Sequence, residues 1–483
     1  VNFVLILSDQ QCKFMVGAYG RKEFDTPNLD RLAARGMRFE RAYTASPVCT
    51  AARAALLTGV TPQLAGAWAN EMAPARHTPL LGEIFRDLGW RAAYTGKWHL
   101  DGACYEGTGL ASGGFEQEWW YDRANLLRDL PGGLWETCAK ARSGADLRAA
   151  GLRLEHLHGH RVADRAVDFL QRAGDEPFVL VVSFDEPHSP WLAPPEYWEK
   201  FKVGDFAPRP NYGASLEGKP EIQRVHAREI AADHGNPTWE QLLAKRLACF
   251  GCNSWLDREV GRVLDAVERH HPEDTFILYT SDHGDQLGSH GLHDKGAAMY
   301  EESCNVPLLV RGPGVPRGAT TQALASHLDL LPTMLELAGF TPPASLHGRS
   351  LVPVLRDPEV RVNEEVLISF NRFALGHARG AFFPIRCLTD GRYKLAINLF
   401  DTDEFYDLEA DPWERVNLIH DPGAAAARDR LHDRLLRFLG ETFDPMDSHL
   451  WGRRPWRTVR ELYYVNRAGD GRARPAGFPR RAR

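Results

Sequence analysis

No stretch of this chain approaches the ~18 consecutive apolar residues of a membrane-spanning helix, so it is not expected to cross a bilayer. Cysteine is scarce as well. The 8 residues, Cys12, Cys49, Cys104, Cys138, Cys249, Cys252, Cys304 and Cys387, are too few and too scattered over 483 positions for a disulfide scaffold. Positive charge does not dominate either. Lys+Arg 58 against Asp+Glu 64 leaves a net charge of −6, which argues against a nucleic-acid coat. Lysine is rare, 10 residues against 48 arginines, so a lysine inside a motif stands out. Internal repeats are absent. What remains is a 43% hydrophobic chain long enough to bury a large core without covalent staples.

Up to about residue 340, short apolar β-rich runs alternate with helical patterns. The runs are 4–7, 92–94, 178–184, 276–280 and 306–310; the helices are 27–35, 51–57, 80–88, 162–171, 242–268 and 329–337. Buried strands separated by amphipathic helices imply an α/β fold with a mostly parallel sheet flanked by helices, in which ligands bind beyond the carboxyl ends of the strands. Residues 104–160 and 203–240 are weakly periodic and read as long excursions suited to pocket walls. After Pro342-Pro343 the runs 366–370, 385–388, 393–399 and 404–406 suggest an antiparallel sheet, closed by a helix at 424–439. The expected organisation is a main domain over 1–345, a smaller C-terminal α+β domain over 346–450 and a tail over 451–483. The Arg-rich end from 467 reads as a solvated extension or a partner-binding arm. The opening run has no basic segment before it and no small-residue cleavage site. It reads as a strand rather than a leader, so the cytoplasm is the expected compartment, with periplasm or secretion as the alternative if a leader was trimmed.

Polar residues directly after the strands carry the chemistry. Ser8-Asp9-Gln10-Gln11 follows the first run, and Ser281-Asp282-His283-Gly284-Asp285 follows 276–280. Alone, each would be a cap or a turn. At equivalent ends of a parallel sheet, Asp9, Gln10, Asp282 and His283 offer three oxygens and one nitrogen to a hard divalent cation. A third cluster runs Ser46-Pro47-Val48-Cys49-Thr50-Ala51-Ala52-Arg53. Pro47 disfavours helix at Ser46, and Ala51 onward favours it. Cys49 is thereby placed at a helix N-terminus, where amide donors and the dipole stabilise an anion. Arg53, one turn on, has a fork suited to oxyanions or to orienting residue 49. The plainer reading of the same residues is a buried structural cysteine beside an ion-paired arginine.

Cys49-Thr50-Ala51-Ala52-Arg53 followed by Ala54-Ala55-Leu56-Leu57-Thr58-Gly59 resembles the signature of the type I, formylglycine-dependent sulfatases of the alkaline phosphatase superfamily. Gly96-Lys97-Trp98-His99, Glu186-Pro187-His188-Ser189-Pro190, Ser281-Asp282-His283-Gly284 with Lys295-Gly296, and Asp329-Leu330-Leu331-Pro332-Thr333 resemble later landmarks of that family in the same order. Tyr406-Asp407-Leu408 with Asp411-Pro412-Trp413-Glu414 extends the match over nearly the whole chain, and Phe370-Asn371-Arg372 is similar to the YidJ branch of bacterial sulfatases. Ala51 stands where Pro is commoner, Gln10 where many relatives carry a second Asp, and His283 where Asn is frequent. At the ligand positions, Gln10 in place of Asp lowers the ligand charge, and Ca²⁺ and Mg²⁺ both stay open.

The resemblance implies an alkaline-phosphatase-like fold and hydrolysis of a sulfate ester on a saccharide or other small molecule. Cys49 would be oxidised to formylglycine by a maturation enzyme, and its hydrate would be the nucleophile. One Ca²⁺ or Mg²⁺ would be held by Asp9, Gln10, Asp282, His283 and residue 49. Lys97 and Lys295 would bind sulfate oxygens beside Arg53. His99 would take a proton from the hydrate's second hydroxyl, and His188 would protonate the leaving oxygen; the two roles can be exchanged. Asp101, Asn125, Asn371 and Arg372 are candidate sugar contacts, and Trp119-Trp120-Tyr121 offers either sugar-stacking faces or core. His290 and His293 flank the Lys295 segment as surface or supporting residues, or as pocket lining. Cys249 and Cys252 lie in a helical run without a second pair, which fits packing better than metal binding. Homo-oligomerisation is compatible with all of this. The rival functions are a phosphonate monoester or phosphodiester hydrolase of the same superfamily, and a binder of sulfated glycans without turnover.

Overall fold

The computed structural model describes residues 1–234, 237–375 and 381–457, so the Arg-rich end expected from 467 lies outside the described residues. Seven strands form the main sheet: β1 (Asn2–Ser8), β2 (Met37–Tyr43), β3 (Arg91–Gly96), β4 (Phe178–Ser183), β5 (Thr275–Ser281), β6 (Leu308–Arg311) and β7 (Ala319–Ser326). Their order is β3-β4-β1-β5-β6-β2-β7. The pairs β3–β4, β4–β1, β1–β5 and β2–β7 are parallel, while β6 runs antiparallel to both β5 and β2. The apolar run at β6 is thus a strand in the expected place but of opposite direction.

Both faces of β1 are buried, and its side chains divide between two cores. Phe3, Leu5 and Leu7 pack with Ala54, Leu57, Phe85 and Leu331 on one face. Val4 and Ile6 pack with Leu29, Val162, Phe169, Val260 and Leu264 on the other. This two-sided burial explains why β1 and β4 are continuously apolar in sequence. Each such side chain contributes about 1.5–3 kcal/mol on leaving water. The helices that cover the sheet include Pro27–Arg35, Cys49–Thr58, His158–Arg172, Trp239–His270 and Leu330–Leu337. Among the described residues, no helix is long and apolar enough to cross a membrane.

A second, antiparallel sheet has the order β11-β10-β9-β8, with β8 (Val366–Phe370), β9 (Ile385–Thr389), β10 (Tyr393–Asn398) and β11 (Glu404–Asp407). One face packs Leu388, Leu395 and Phe405 on Leu431 and Leu435 of the helix Ala425–Glu441. The other packs Ile368, Phe370 and Cys387 against Val48 and Ala51. The start of the helix Cys49–Thr58 is therefore wedged between the two sheets.

Gly96 closes β3 at φ 111, and a Cβ there would lie 1.8 Å from the carbonyl oxygen of Ser183 on β4. Two strand backbones approach at a spacing that only glycine permits. The expected result for Gly96→Ala is a loss of about 3 kcal/mol in a denaturant titration, from the steric clash plus backbone strain. Activity should fall with it, because Lys97 follows immediately. An unchanged midpoint would show that β3 and β4 can part at no cost.

Candidate active site

Four adjacent parallel strands end on one side of the sheet. Lys97 and His99 follow β3, Asp185 and His188 follow β4, Asp9 and Gln10 follow β1, and Asp282 and His283 follow β5. Gln10 (φ 64) and His99 (φ 56) both adopt the left-handed region. Non-glycine residues are held there only where the surroundings enforce it, and such strain clusters at functional sites.

Cys49 is the first residue of a helix whose ten residues are all buried, and which ends at Gly59 in the left-handed conformation (φ 67). One orphan amide of its first turn, that of Thr50, donates to Asn70 Oδ1 at 3.1 Å. Cys49 Sγ lies 3.1 Å from His283 Nε2 and 4.0 Å from Asp9 Oδ1. The His283 Nδ1 faces the Gly284 carbonyl oxygen at 2.9 Å, which gives Nδ1 a proton to donate and turns Nε2 toward residue 49.

Arg53 is 1% exposed and spans the centre. Its Nη2 donates to Asp9 Oδ2 at 2.8 Å and its Nε to Asp282 Oδ2 at 3.0 Å. Its Nη1 reaches the Lys97 carbonyl oxygen at 2.8 Å and Ser183 Oγ at 2.7 Å. Lys97 Nζ lies 2.8 Å from Asp9 Oδ2 and 3.0 Å from Asp185 Oδ1, and donates to Tyr105 Oη at 2.8 Å. Lys295 Nζ donates to Gln10 Oε1 at 2.5 Å, lies 3.1 Å from His188 Nε2 and 3.3 Å from Asp294 Oδ1. Gln10 Nε2 donates to Asp285 Oδ2 at 2.5 Å.

Burial opposes charge on Asp9, yet Lys97 and the neighbouring cations hold its carboxyl well below the usual value. Asp282 is raised instead, by burial first and by Asp9 second. The Cys49 thiol is lowered: burial and Asp9 push it up, but Lys295, Lys97 and His283 outweigh them. Burial also depresses His283, which Asp282 and the Cys49 sulfur bring up to about 9. His99 and His188 are both held well below the ordinary imidazole value. Burial is the main cause in each, aided by Lys97 for His99 and by Lys295 for His188.

Gln10, Cys49, His99, His188 and Lys295 line a cleft of about 470 Å³, and the buried Asp9, Arg53, Lys97, Asp282 and His283 join it through their contacts with these residues and one another. Tyr105, Trp191, Arg246, His293 and Phe373 stand in its walls. The structure thus brings together Asp9, Gln10, Cys49, Arg53, Lys97, His99, His188, Asp282, His283 and Lys295.

The four candidate sugar contacts are not brought to the cleft lining. Asp101 accepts from Trp98 Nε1 at 3.2 Å. Asn125 is spent on capping the helix Arg123–Asp129, with Asp122 N donating to its Oδ1 at 2.9 Å. Asn371 Oδ1 accepts from Arg386 at 2.9 Å, and Arg372 donates to the carbonyl oxygens of Ala374 and Leu375. Trp119, Trp120 and Tyr121 are core, at 2–4% exposure. His293 lines the cleft, whereas His290 is buried and stacks on Tyr300 at 3.9 Å. Cys249 and Cys252 are buried and unbridged.

Sequence reasoning missed Tyr105, Asp185, Asp285 and Arg246. Asp185 obeyed the rule used for Asp9 and Asp282, a carboxylate just past a buried strand. Tyr105 sits in a segment with no periodicity, and no local pattern marked it. Its hydroxyl lies 3.3 Å from Asp185 and 3.4 Å from His188 Nδ1, and its ring meets His99 edge-on at 4.6 Å.

Residues 1–340 match the family model described as Sulfatase, and residues 288–440 match that described as N-sulphoglucosamine sulphohydrolase, C-terminal. The chain is 40% identical over 463 residues to the uncharacterized sulfatase YidJ of Escherichia coli strain K12, covering 94% of this chain and 90% of that protein. A solved phosphonate monoester hydrolase of Agrobacterium radiobacter is similar with a TM-score of 0.74 and 24% identity, over 91% of this chain and 96% of that one. A protein solved in complex with its substrate D-glucosamine-2-N,6-O-disulfate is similar with a TM-score of 0.73 and 22% identity, over 92% and 99% of the two chains.

Proposed function

The chain belongs to the sulfatase family and is a sulfuric ester hydrolase, and from that premise we propose that it removes a sulfate ester from a carbohydrate, with residue 49 matured to formylglycine. The observation that carries this reading is a buried Asp/Cys/Asp/His cluster, with Lys97 on Asp9, whose Cys49 opens on a cleft also lined by His99, His188 and Lys295. The binding of a disulfated sugar by a protein of the same fold supports a carbohydrate.

The donor set fits a divalent ion, Ca²⁺ or Mg²⁺. Ligand atoms of Asp9, Cys49, Asp282 and His283 lie within 4.8 Å of one another, and all four residues are buried. These residues would hold it, with Gln10 as a further oxygen donor. When present, the ion polarises the sulfuryl oxygens and the matured residue 49 supplies the attacking hydroxyl.

The chain's own groups do the remaining work. Arg53 fixes Asp9 and Asp282 relative to each other through one rigid fork. Lys97 and Lys295 hold sulfuryl oxygens as compact point charges. His99 accepts a proton from residue 49; its Nδ1 has no hydrogen-bond partner among the described residues, and its depressed pKa keeps it a neutral base. His188 gives a proton to the leaving oxygen. Lys295 and Lys97 oppose that protonation in the free protein, and the anionic ester offsets them once bound. A formylglycine-generating enzyme is the implied maturation partner. Residues 1–345 are assigned as the catalytic domain and 346–450 as the C-terminal subdomain; of the tail expected over 451–483, Trp451, Arg454 and Trp456 pack on that subdomain.

The likeness in fold to a phosphonate monoester hydrolase makes that activity the second reading, and Gln10 is compatible with both. Parallel kinetics on sulfated sugars, an aryl sulfate, a phosphodiester and a phosphonate monoester separate the two. The expected result is the highest kcat/KM on a sulfated sugar. A clear preference for the phosphorus esters would overturn the proposal.

A further inference from the structure

The cations around the cleft differ in how they are neutralised. Arg53 is bound to Asp9 and Asp282, Lys97 to Asp9 and Asp185, Lys295 to Asp294, and Arg123 to Asp185 and Glu106. Arg246, in the cleft wall, is the exception. Among the described residues, the one carboxylate within 4 Å of it is Asp285, whose Oδ2 is 3.9 Å away. That carboxylate is already committed. Its Oδ2 accepts from Gln10 Nε2 at 2.5 Å, and its Oδ1 accepts the amides of Leu287 and Asp294 at 2.8 and 3.0 Å.

Arg246 is nonetheless held in place. It rises from the helix Trp239–His270, its guanidinium lies 5.3 Å from the Trp191 ring, and its Nη2 donates to His293 Nδ1 at 2.7 Å. Its side chain is 14% exposed. A guanidinium carries five N–H donors, and among the described residues the one hydrogen bond from Arg246 is that to His293. A largely buried, pre-positioned fork in a ligand cleft, its one nearby carboxylate 3.9 Å away and shared with other donors, is matched by a planar or tetrahedral oxyanion.

From this geometry we infer that Arg246, braced by Trp191 and His293, is a specificity site for a second oxyanion of the substrate, a carboxylate or a further sulfate, separate from the ester that is hydrolysed. The inference rests on the sulfatase reading of the cleft floor and adds to it. The preferred substrate is then a saccharide bearing at least two negative charges.

Matured wild-type protein, Arg246→Gln and Arg246→Lys are compared on matched sugars. In one pair the sulfated sugar lacks or carries a second sulfate; in the other it lacks or carries a uronate carboxylate. Wild type should favour the doubly charged member of one pair at least tenfold in kcat/KM, and that pair identifies the oxyanion. Arg246→Gln should collapse the ratio about tenfold or more, chiefly through KM, and Arg246→Lys should restore part of it. Calorimetric titration of the Cys49→Ala protein with the same sugars reads binding without turnover. If no sulfate ester is hydrolysed yet the doubly charged sugars bind more tightly and lose that advantage in the added Arg246→Gln background, the sulfatase reading fails and this site stands. Equal loss on both members of each pair, or no preference in wild-type kinetics and binding, overturns it.

Discussion

Replacing Cys49 with alanine should lower sulfate-ester hydrolysis by at least about ten-thousandfold while leaving the fold in place. Loss of a nucleophile removes the covalent route, and the residual rate is what binding and electrostatics supply alone. The fold should tolerate the change because the side chain is small and its contacts are few: Sγ meets His283 Nε2 at 3.1 Å and Asp9 Oδ1 at 4.0 Å. The helix around it is anchored by neighbours that the substitution does not touch, with Val48 and Ala51 in one core cluster and Ala54 and Leu57 in another. Three measurements decide the matter. Peptide mass spectrometry of active wild-type protein should find residue 49 altered from the thiol mass to that of formylglycine. Kinetics of the variant should show the loss, and a thermal melt should show little change. Full activity in Cys49→Ala, or an unmodified thiol in a fully active sample, would end the mechanism.

Arg53→Ala should be costly to stability and activity together. Arg53 bonds both buried carboxylates at 2.8 and 3.0 Å, and also ties the Lys97 carbonyl oxygen and Ser183 Oγ to the centre. Its removal leaves Asp9 and Asp282 facing each other, both fully buried, with Lys97 as the remaining close cation on Asp9. Breaking a buried pair of this kind costs about 3–5 kcal/mol, most of it the penalty for the stranded charge. Urea titration should show that loss, and kcat/KM should fall by about a hundredfold or more because every ligand position shifts. Added Ca²⁺ should return part of the lost stability, since it can sit between the same carboxylates. Arg53→Lys should fall between wild type and alanine, keeping the charge without the fork. A variant as stable and active as wild type would show that the carboxylates need no shared cation.

Much of this centre was legible because the parallel sheet imposes a rule: the residues just past the end of a buried strand face the ligand. Asp9 and Asp282 are legible from it, each after an apolar run; Lys97 and His188 come from the family resemblance, and in the structure they too follow strand ends. The rule fails for strands that are not plain. In β2, Met37–Tyr43, charged Arg38, Glu40 and Arg41 alternate with buried Met37 and Phe39. In β7, Ala319–Ser326, Thr and Gln dilute the pattern. Both lie toward one edge of the sheet, where full burial is not required, so neither showed as an apolar run. The sugar contacts expected from sequence, Asp101 just after His99, Asn125 beside Trp119-Trp120-Tyr121, and Asn371-Arg372, are not among the residues that line the cleft. Asn125 became a helix cap and Asn371 a partner of Arg386. Tyr105 and Arg246 arrive from segments with no strand-end signal, and only the folded chain brings them to the site.

The position of β1 in the sheet bears on how the protein is made. This strand is synthesised well before its two neighbours, β4, beginning at Phe178, and β5, ending at Ser281. Until those segments are synthesised, Asn2–Ser8 is an unpaired apolar ribbon with two open edges. Such a segment invites association with other nascent chains. Sheet closure across so long a separation in sequence is slow. Chaperone capture during synthesis should therefore raise the soluble yield, and expression with and without a co-produced chaperone checks it.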